Sequence, residues 1–236
     1  MTQQAEKSFK VEIYSDVVCP WCYVGKRNIQ RALEYYRQTY AKEIQPEVHW
    51  MPFRLHASLP KEGVDRTTYL KKRYPGRAND PDLFADVVKA GRRLGLEYNF
   101  ERIEVQPNTT DAHRLMRFAE RNGVREAAVE SLFRSYFTDG RNLSDSAVLL
   151  EIGTSVGLDA VELEAYLSSE VDVEWVEQMD TRAKRGLGIT TVPFLVLNGR
   201  KGVSGVSPAD QLFQALLWAR RDYARPNWMP RFFKTL

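Results

Sequence analysis

The chain has 236 residues, 43% hydrophobic and 28% charged, with a formal net charge of +3. That length suits one large domain or one domain with a sizeable insertion, and the composition is that of a globular protein. Basic groups such as Lys71-Lys72-Arg73, Arg92-Arg93 and Arg220-Arg221 are scattered among acids. They read as solvated helix faces, which argues against a nucleic-acid-binding stripe.

The opening MTQQAEKSFKVEIY has no apolar leader core, and the longest apolar run, around TVPFLVL, is far short of a membrane span. A soluble cytoplasmic protein that binds neither membrane nor nucleic acid is therefore expected. FKVEIYSD (9–16) alternates Val11 and Ile13 and runs on through Val17 and Val18, as a buried strand would. Cys22, Ile29, Leu33, Tyr36 and Tyr40 then recur at helical intervals, and PEVHWMPF (46–53) reads as a second strand. This is a β-α-β unit with both cysteines of the chain at the turn from strand to helix.

From about residue 58 to 168 the pattern is helical. DPDLFADVVKAGRRLGLEY, TTDAHRLMRFAERNGV, EAAVESLFRSYFTDG and SDSAVLLEIGTSVGLD each begin with a capping residue or acid and end near a glycine. Val129, Leu132, Phe133, Tyr136 and Phe137 form an apolar face that reads as bundle core. EVDVEWVEQMDTRAKRGLG predicts a helix closed by Gly186 or Gly188. VPFLVLNGRKGVSG predicts a hairpin with Asn198-Gly199 as a two-residue turn. A last amphipathic helix carries Leu212, Ala215, Leu216, Ala219 and Tyr223 on one face. The order β-α-β, helical stretch, α-β-β-α predicts an α/β thioredoxin-type fold (1–57 and 169–236) interrupted by a large all-helical insertion (58–168).

Four readings compete for Cys19-Pro20-Trp21-Cys22. Zinc needs four ligands, and His49, His56 and His113 are irregularly spaced with no second close pair, so no metal site is expected. A disulfide closing so short a loop constrains little of the unfolded chain. Two inert core thiols stay open as a reading, but the strand-to-helix position favours a working dithiol. With Pro20 at the first helical position, Cys19 becomes the N-cap. Its sulfur can then accept from the amides of Trp21 or Cys22 at the positive end of the helix dipole, which favours thiolate. Cys22, one turn in, suits the resolving role: Cys19 attacks and Cys22 resolves. Far along the chain, GITTVPFLVL sets Pro193 after Val192 at a strand start. In the thioredoxin-type order a cis-proline here lies against the dithiol, and its neighbour's backbone can pair with an extended substrate.

SDVVCPWCYVGK, MPFRL, PNTTDAHRLMRFA, SYFTDGRNLSD, VGLD, GITTVPFLVLNG and VSGVSPADQL together resemble the DsbA-like thioredoxin-fold oxidoreductases, most closely the FrnE-type subgroup. The resemblance implies dithiol–disulfide exchange without a bound cofactor, on protein, peptide or small-molecule disulfides. Cys19, Cys22 and Pro193 take the places of nucleophile, resolving cysteine and cis-proline. Where DsbA follows the proline with histidine this chain has Trp21, which offers no imidazolium; a weaker oxidant than DsbA, at about −120 mV, is expected.

A second reading comes from glutathione transferases of the kappa class and 2-hydroxychromene-2-carboxylate isomerases, which share the insertion. There glutathione would be co-substrate, with Asn108 and His113 the cleft residues to watch. Asp16, three residues before Cys19, is a candidate proton relay to the dithiol. A third is a redox-gated chaperone or sensor. The tail RPNWMPRFFKTL, with Trp228, Phe232 and Phe233, leaves monomer and homodimer both open.

Overall fold

Strand β1 (Ser8–Ser15) is buried on both faces: Phe9, Val11 and Ile13 on one side and Glu12 and Tyr14 on the other have no exposed surface. Such two-sided burial belongs to the centre of a sheet. Helix α1 (Pro20–Thr39) then leads to β2 (Gln45–Pro52), which pairs parallel with β1 from Ser8 opposite Gln45 to Ser15 opposite Pro52. The computed structural model describes residues 8–224; Trp228, Phe232 and Phe233 lie outside them.

After β2 comes the helical insertion. It holds a short strand β3 (Val64–Asp65) with α2 (Arg66–Arg73), then α3 (Ala85–Arg92). Strand β4 (Val105–Gln106), α4 (Thr110–Arg121), α5 (Arg125–Phe137), α6 (Ser146–Ser155) and α7 (Ala160–Ser168) follow. Side chains of Asp65, Asp145 and Asp159 accept from the amides of Thr68, Ala147 and Glu162 at 2.7, 2.8 and 2.9 Å, which starts α2, α6 and α7. The antiparallel β3–β4 ladder is the one departure from an all-helical stretch. It exists because Gly63, at φ +82°, lets the backbone come so close that a Cβ there would sit 2.7 Å from the Gln106 carbonyl.

The chain returns to the sheet through α8 (Val173–Thr181), β5 (Phe194–Leu197), β6 (Lys201–Ser204) and α9 (Ala209–Tyr223). The single helix expected up to Gly186 or Gly188 ends as α-helix at Thr181. It continues as one wider π turn, Arg182–Gly186, before Gly188 reverses the chain at φ +64°. Strand β5 pairs antiparallel with β1 and with β6, so the sheet order is β2-β1-β5-β6. The β5–β6 connection is a correction: Leu197 pairs with Lys201, leaving a three-residue turn, Asn198 to Arg200. Asn198 is held at φ +51° as a strut, its side chain accepting from the Lys10 amide at 3.0 Å and donating to the Ala219 carbonyl at 2.9 Å. Helices α1 and α9 pack together, with Tyr35 against Phe213 at 4.7 Å between ring centres.

Candidate active site

Strand β1 delivers the chain to the site. After Ser15 a tight turn, closed by the Cys19 amide donating to the Asp16 carbonyl at 3.0 Å, leads into α1. Cys19 is the N-cap residue in extended backbone (φ −91°, ψ 111°), and Pro20 opens the helix. The insertion then grips this first turn. The Tyr98 hydroxyl donates to the Pro20 carbonyl at 2.7 Å, and the Tyr23 ring stacks on Phe133 at 5.0 Å and 8°. The Tyr23 hydroxyl donates to Glu130 at 2.8 Å, while Lys26 and Arg27 reach the same carboxylate. Neither cysteine is disulfide-bonded. Cys19 is 7% exposed and Cys22 fully enclosed, while Trp21 projects outward, 39% exposed.

The Val192–Pro193 peptide is cis. It sits beside the dithiol: the Cys19 thiol donates to the Val192 carbonyl at 3.6 Å. Gly25 makes this fit possible. A Cβ there would collide with the Pro193 ring and lie 2.8 Å from the Gly205 carbonyl. The expected amide-to-sulfur bond is not formed. The Cys22 amide donates instead to the Cys19 carbonyl at 2.9 Å, so one of the two amides expected to reach the sulfur is already engaged. Burial, then the adjoining Cys19 sulfur, push the Cys22 thiol well above its ordinary value. The outer position thus offers the less enclosed thiol and the inner one a fully shielded partner.

Asp16 is wholly buried; one carboxylate oxygen accepts from the Leu55 amide at 2.7 Å, and the other lies 3.7 Å from His113 Nε2, beyond hydrogen-bond length. His113 is 1% exposed, and neither ring nitrogen makes a hydrogen bond among the described residues. Both polar atoms of the Asn108 side chain have partners: it donates to the Leu59 carbonyl at 2.7 Å and accepts from the Thr110 amide at 2.9 Å. The structure therefore brings Cys19, Pro20, Trp21, Cys22, Val192 and Pro193 together. It sets Asp16 and His113 as a pair in the interior, and Asn108 among the loop contacts that start α4.

A cleft of about 330 Å³ opens beside Cys19, between α1 and the insertion helices α2 and α3. His56, Arg66, Tyr69, Arg73 and Phe84 line it with Trp21. None of these five was singled out as a cleft residue: His56 was weighed only as a zinc ligand, and Arg66, Tyr69 and Arg73 sit in RTTYLKKR, which has the composition of a solvated helix. The available signal was the i, i+3, i+7 spacing of Arg66, Tyr69 and Arg73, which puts them on one face. The Tyr69 hydroxyl bonds His56 Nε2 at 2.7 Å, and burial lowers the His56 value. Among the described residues no group of three or more His, Cys, Asp or Glu side chains is arranged to hold a metal ion, and no helix is long and apolar enough to cross a membrane.

The family described as DSBA-like thioredoxin domain matches residues 10–217. The crystal structure of a probable DsbA oxidoreductase from Streptomyces coelicolor is similar at 31% identity and TM-score 0.81, covering 94% of each chain. An uncharacterized protein, YwbO of Bacillus subtilis, is 26% identical over 206 residues, 87% of this chain and 94% of its own. The cytosolic disulfide reductase DsbM of Pseudomonas aeruginosa, solved with glutathione, has the same fold at 15% identity and TM-score 0.66, covering 90% of this chain and 99% of its own.

Proposed function

The chain belongs to the DSBA-like thioredoxin domain family, and on that premise we propose that it is a thiol–disulfide oxidoreductase or isomerase working through Cys19 and Cys22. The observation that carries this is the arrangement at the start of α1. An outer thiol at the helix N-cap, with the Val192 carbonyl 3.6 Å away, backs onto a second thiol with no exposed surface. In the reductive direction the Cys19 thiolate attacks a substrate disulfide and forms a mixed disulfide, expelling one substrate thiolate. The Cys22 thiolate then attacks the Cys19 sulfur and expels the second. The protein dithiol is oxidised, the substrate disulfide becomes two thiols, and the two protons lost from Cys19 and Cys22 end on them. Isomerisation uses the same first step, with the substrate's own thiol reclaiming its sulfur.

The Val192 carbonyl and the cis-proline edge offer a backbone surface to an extended substrate, as strand-addition sites do. A cytoplasmic setting, in which the chain reduces or isomerises disulfides, belongs to the proposal; the DsbM neighbour is described as a cytosolic disulfide reductase and was solved with glutathione. Glutathione accordingly enters as candidate co-substrate that returns the dithiol to its reduced form. The enclosure of His113 and the engaged side chain of Asn108 weigh against a glutathione-dependent isomerase built on those two residues.

The test is trapping. Cys22→Ser incubated with a disulfide-bonded protein substrate should accumulate a mixed disulfide through Cys19, visible as a mass adduct, and should not turn over. Cys19→Ser should give no adduct and no turnover. A Cys19→Ser variant that still turns over would sink the exchange mechanism; one that loses turnover yet still suppresses aggregation would show a separate chaperone activity.

A further inference from the structure

Among the described residues four lysine and arginine side chains are nearly or wholly enclosed, and three of them have an acidic partner. Lys26 pairs with Glu130 at 2.7 Å, Arg54 with Asp180 at 3.5 Å, and Arg114 with Asp111 at 2.7 Å. The fourth, Arg66, is 8% exposed and has no carboxylate within ion-pair distance among the described residues. Its Nη1 donates to Gln106 and reaches the Tyr136 hydroxyl at 3.4 Å, both neutral groups. The guanidinium carbon lies 5.5 Å from the Tyr69 ring centre and 5.7 Å from that of Phe84. Those ring contacts offset part of the cost of burial, but a charge taken out of water without a counter-ion is expensive. Arginine side chains do not escape that cost by deprotonating.

Arg66 lines the same cleft as Cys19 and Trp21. One helical face of α2 adds Tyr69 and the exposed Arg73, which has no ion-pair partner among the described residues. On the opposite wall Asp86, exposed at the first turn of α3, is the one acid among the described residues and is in no ion pair with them. Burial holds His56 toward its neutral form, so the imidazole adds little charge. The rest of the lining is largely apolar, including Phe84, Phe100 and Phe137. At about 330 Å³ the cleft is at the small end of ligand pockets, which run roughly 300–1,000 Å³.

We infer that this cleft is a subsite for a small thiol or disulfide compound bearing a carboxylate on an apolar stem, with the carboxylate on Arg66 and the sulfur at Cys19. Nε and Nη2 of Arg66 make no hydrogen bond within the described residues, leaving two parallel donors for two carboxylate oxygens. The stem lies on Phe84 and Trp21. The inference rests on the exchange chemistry above and names its substrate class: acidic low-molecular-weight disulfides and their mixed disulfides.

Two arms test the subsite and the chemistry separately. Calorimetry on the full chain with phenylpropionate and its neutral amide, phenylpropionamide, reads the subsite with no sulfur chemistry involved. The acid should bind at least roughly tenfold tighter, the worth of a charge-assisted bidentate contact. Arg66→Gln should remove that preference, and a charge-matched surface change, Lys42→Gln, should keep it. Equal binding of acid and amide by the unaltered chain overturns the inference, whatever the folding of any variant. The second arm compares consumption of dithiodipropionate and neutral hydroxyethyl disulfide by the reduced protein. A kcat/KM for the acidic disulfide that falls about tenfold in Arg66→Gln, with the neutral one within twofold, supports the subsite. Equal losses for both overturn it and leave exchange standing. Consumption of neither by the unaltered protein overturns the exchange mechanism itself, while the calorimetric arm still decides whether the cleft binds carboxylates.

Discussion

Replacing Gly25 by alanine sets two known effects against each other. Gly25 lies inside α1, where alanine is worth up to about 1 kcal/mol over glycine in helix propensity. Against that gain, the added methyl would overlap the Pro193 ring and stand 2.8 Å from the Gly205 carbonyl. The carbonyl is backbone and the ring is part of the loop that faces Cys19, so neither yields as a flexible side chain would. Overpacking of this kind costs about 1–3 kcal/mol. The overpacking should win, giving a net loss of about 1–2 kcal/mol, and at this chain length Tm falls by about 2–8 °C. The functional loss should exceed the stability loss, because the segment that moves is the one beside the thiol. Denaturant melts and disulfide turnover on the same sample measure both. Gly186→Ala is the internal contrast: its Cβ would meet only the flexible Arg182 side chain, at 3.7 Å, so that variant should be neutral or slightly stabilised. A Gly25→Ala protein with unchanged Tm and full turnover would refute the claim that this glycine sets the spacing between α1 and Pro193.

Alkylation should separate the two thiols: with Cys22 enclosed and its thiol pushed up by burial, iodoacetamide at pH 7 should label Cys19 roughly tenfold faster or more, followed by peptide mass. Comparable labelling rates in the folded protein would contradict the assignment of outer and inner roles. Burial draws Glu130 upward, but hydrogen bonds from Arg27, Lys26 and Tyr23 outweigh it and hold the carboxyl at about 2, against 4.5 ordinarily. A depressed carboxyl stabilises the fold fully above its unfolded value and loses that contribution as pH falls from about 4.5 toward 2. Glu130→Gln should therefore cost about 2 kcal/mol near pH 7, allowing for its partial exposure, and flatten the acid limb of the stability curve. An acid limb identical to that of the unaltered protein would refute the assignment. Arg114→Met should cost about 3 kcal/mol or more in a urea melt, since it strips the hydrogen bonds of the Tyr166, Leu167, Ser169 and Val171 carbonyls. A loss under 1 kcal/mol would show those carbonyls finding other partners.

What the sequence made legible was local or periodic. Alternation in FKVEIYS marked the central strand, and the strand-to-helix change at Cys19-Pro20 marked the helix start within a residue. What it hid depends on tertiary contact. Arg66 and Arg73 sit in a charged octapeptide whose composition is that of a solvated face; only the approach of α3 and the Cys19 turn makes that face a cleft wall. Asn108 looked like a cleft residue, yet its amide is spent on Leu59 and Thr110, partners that spacing cannot reveal. The three-residue turn after Leu197 escaped notice because Asn-Gly signals positive φ, which both residues adopt, but does not fix the pairing of the next residue. The Cys19 sulfur's partner was misjudged because an N-cap position predicts amides nearby, not that a carbonyl will already occupy one.

The dithiol itself is tested most directly by titrating the purified protein against glutathione redox buffers and counting free thiols by mass after alkylation. Both thiols should disappear together in one two-electron transition, without a stable glutathione adduct, and with a midpoint below the value of about −120 mV for DsbA. Thiols that stay free across the range, or a stable adduct at Cys19 alone, would contradict a working Cys19–Cys22 pair.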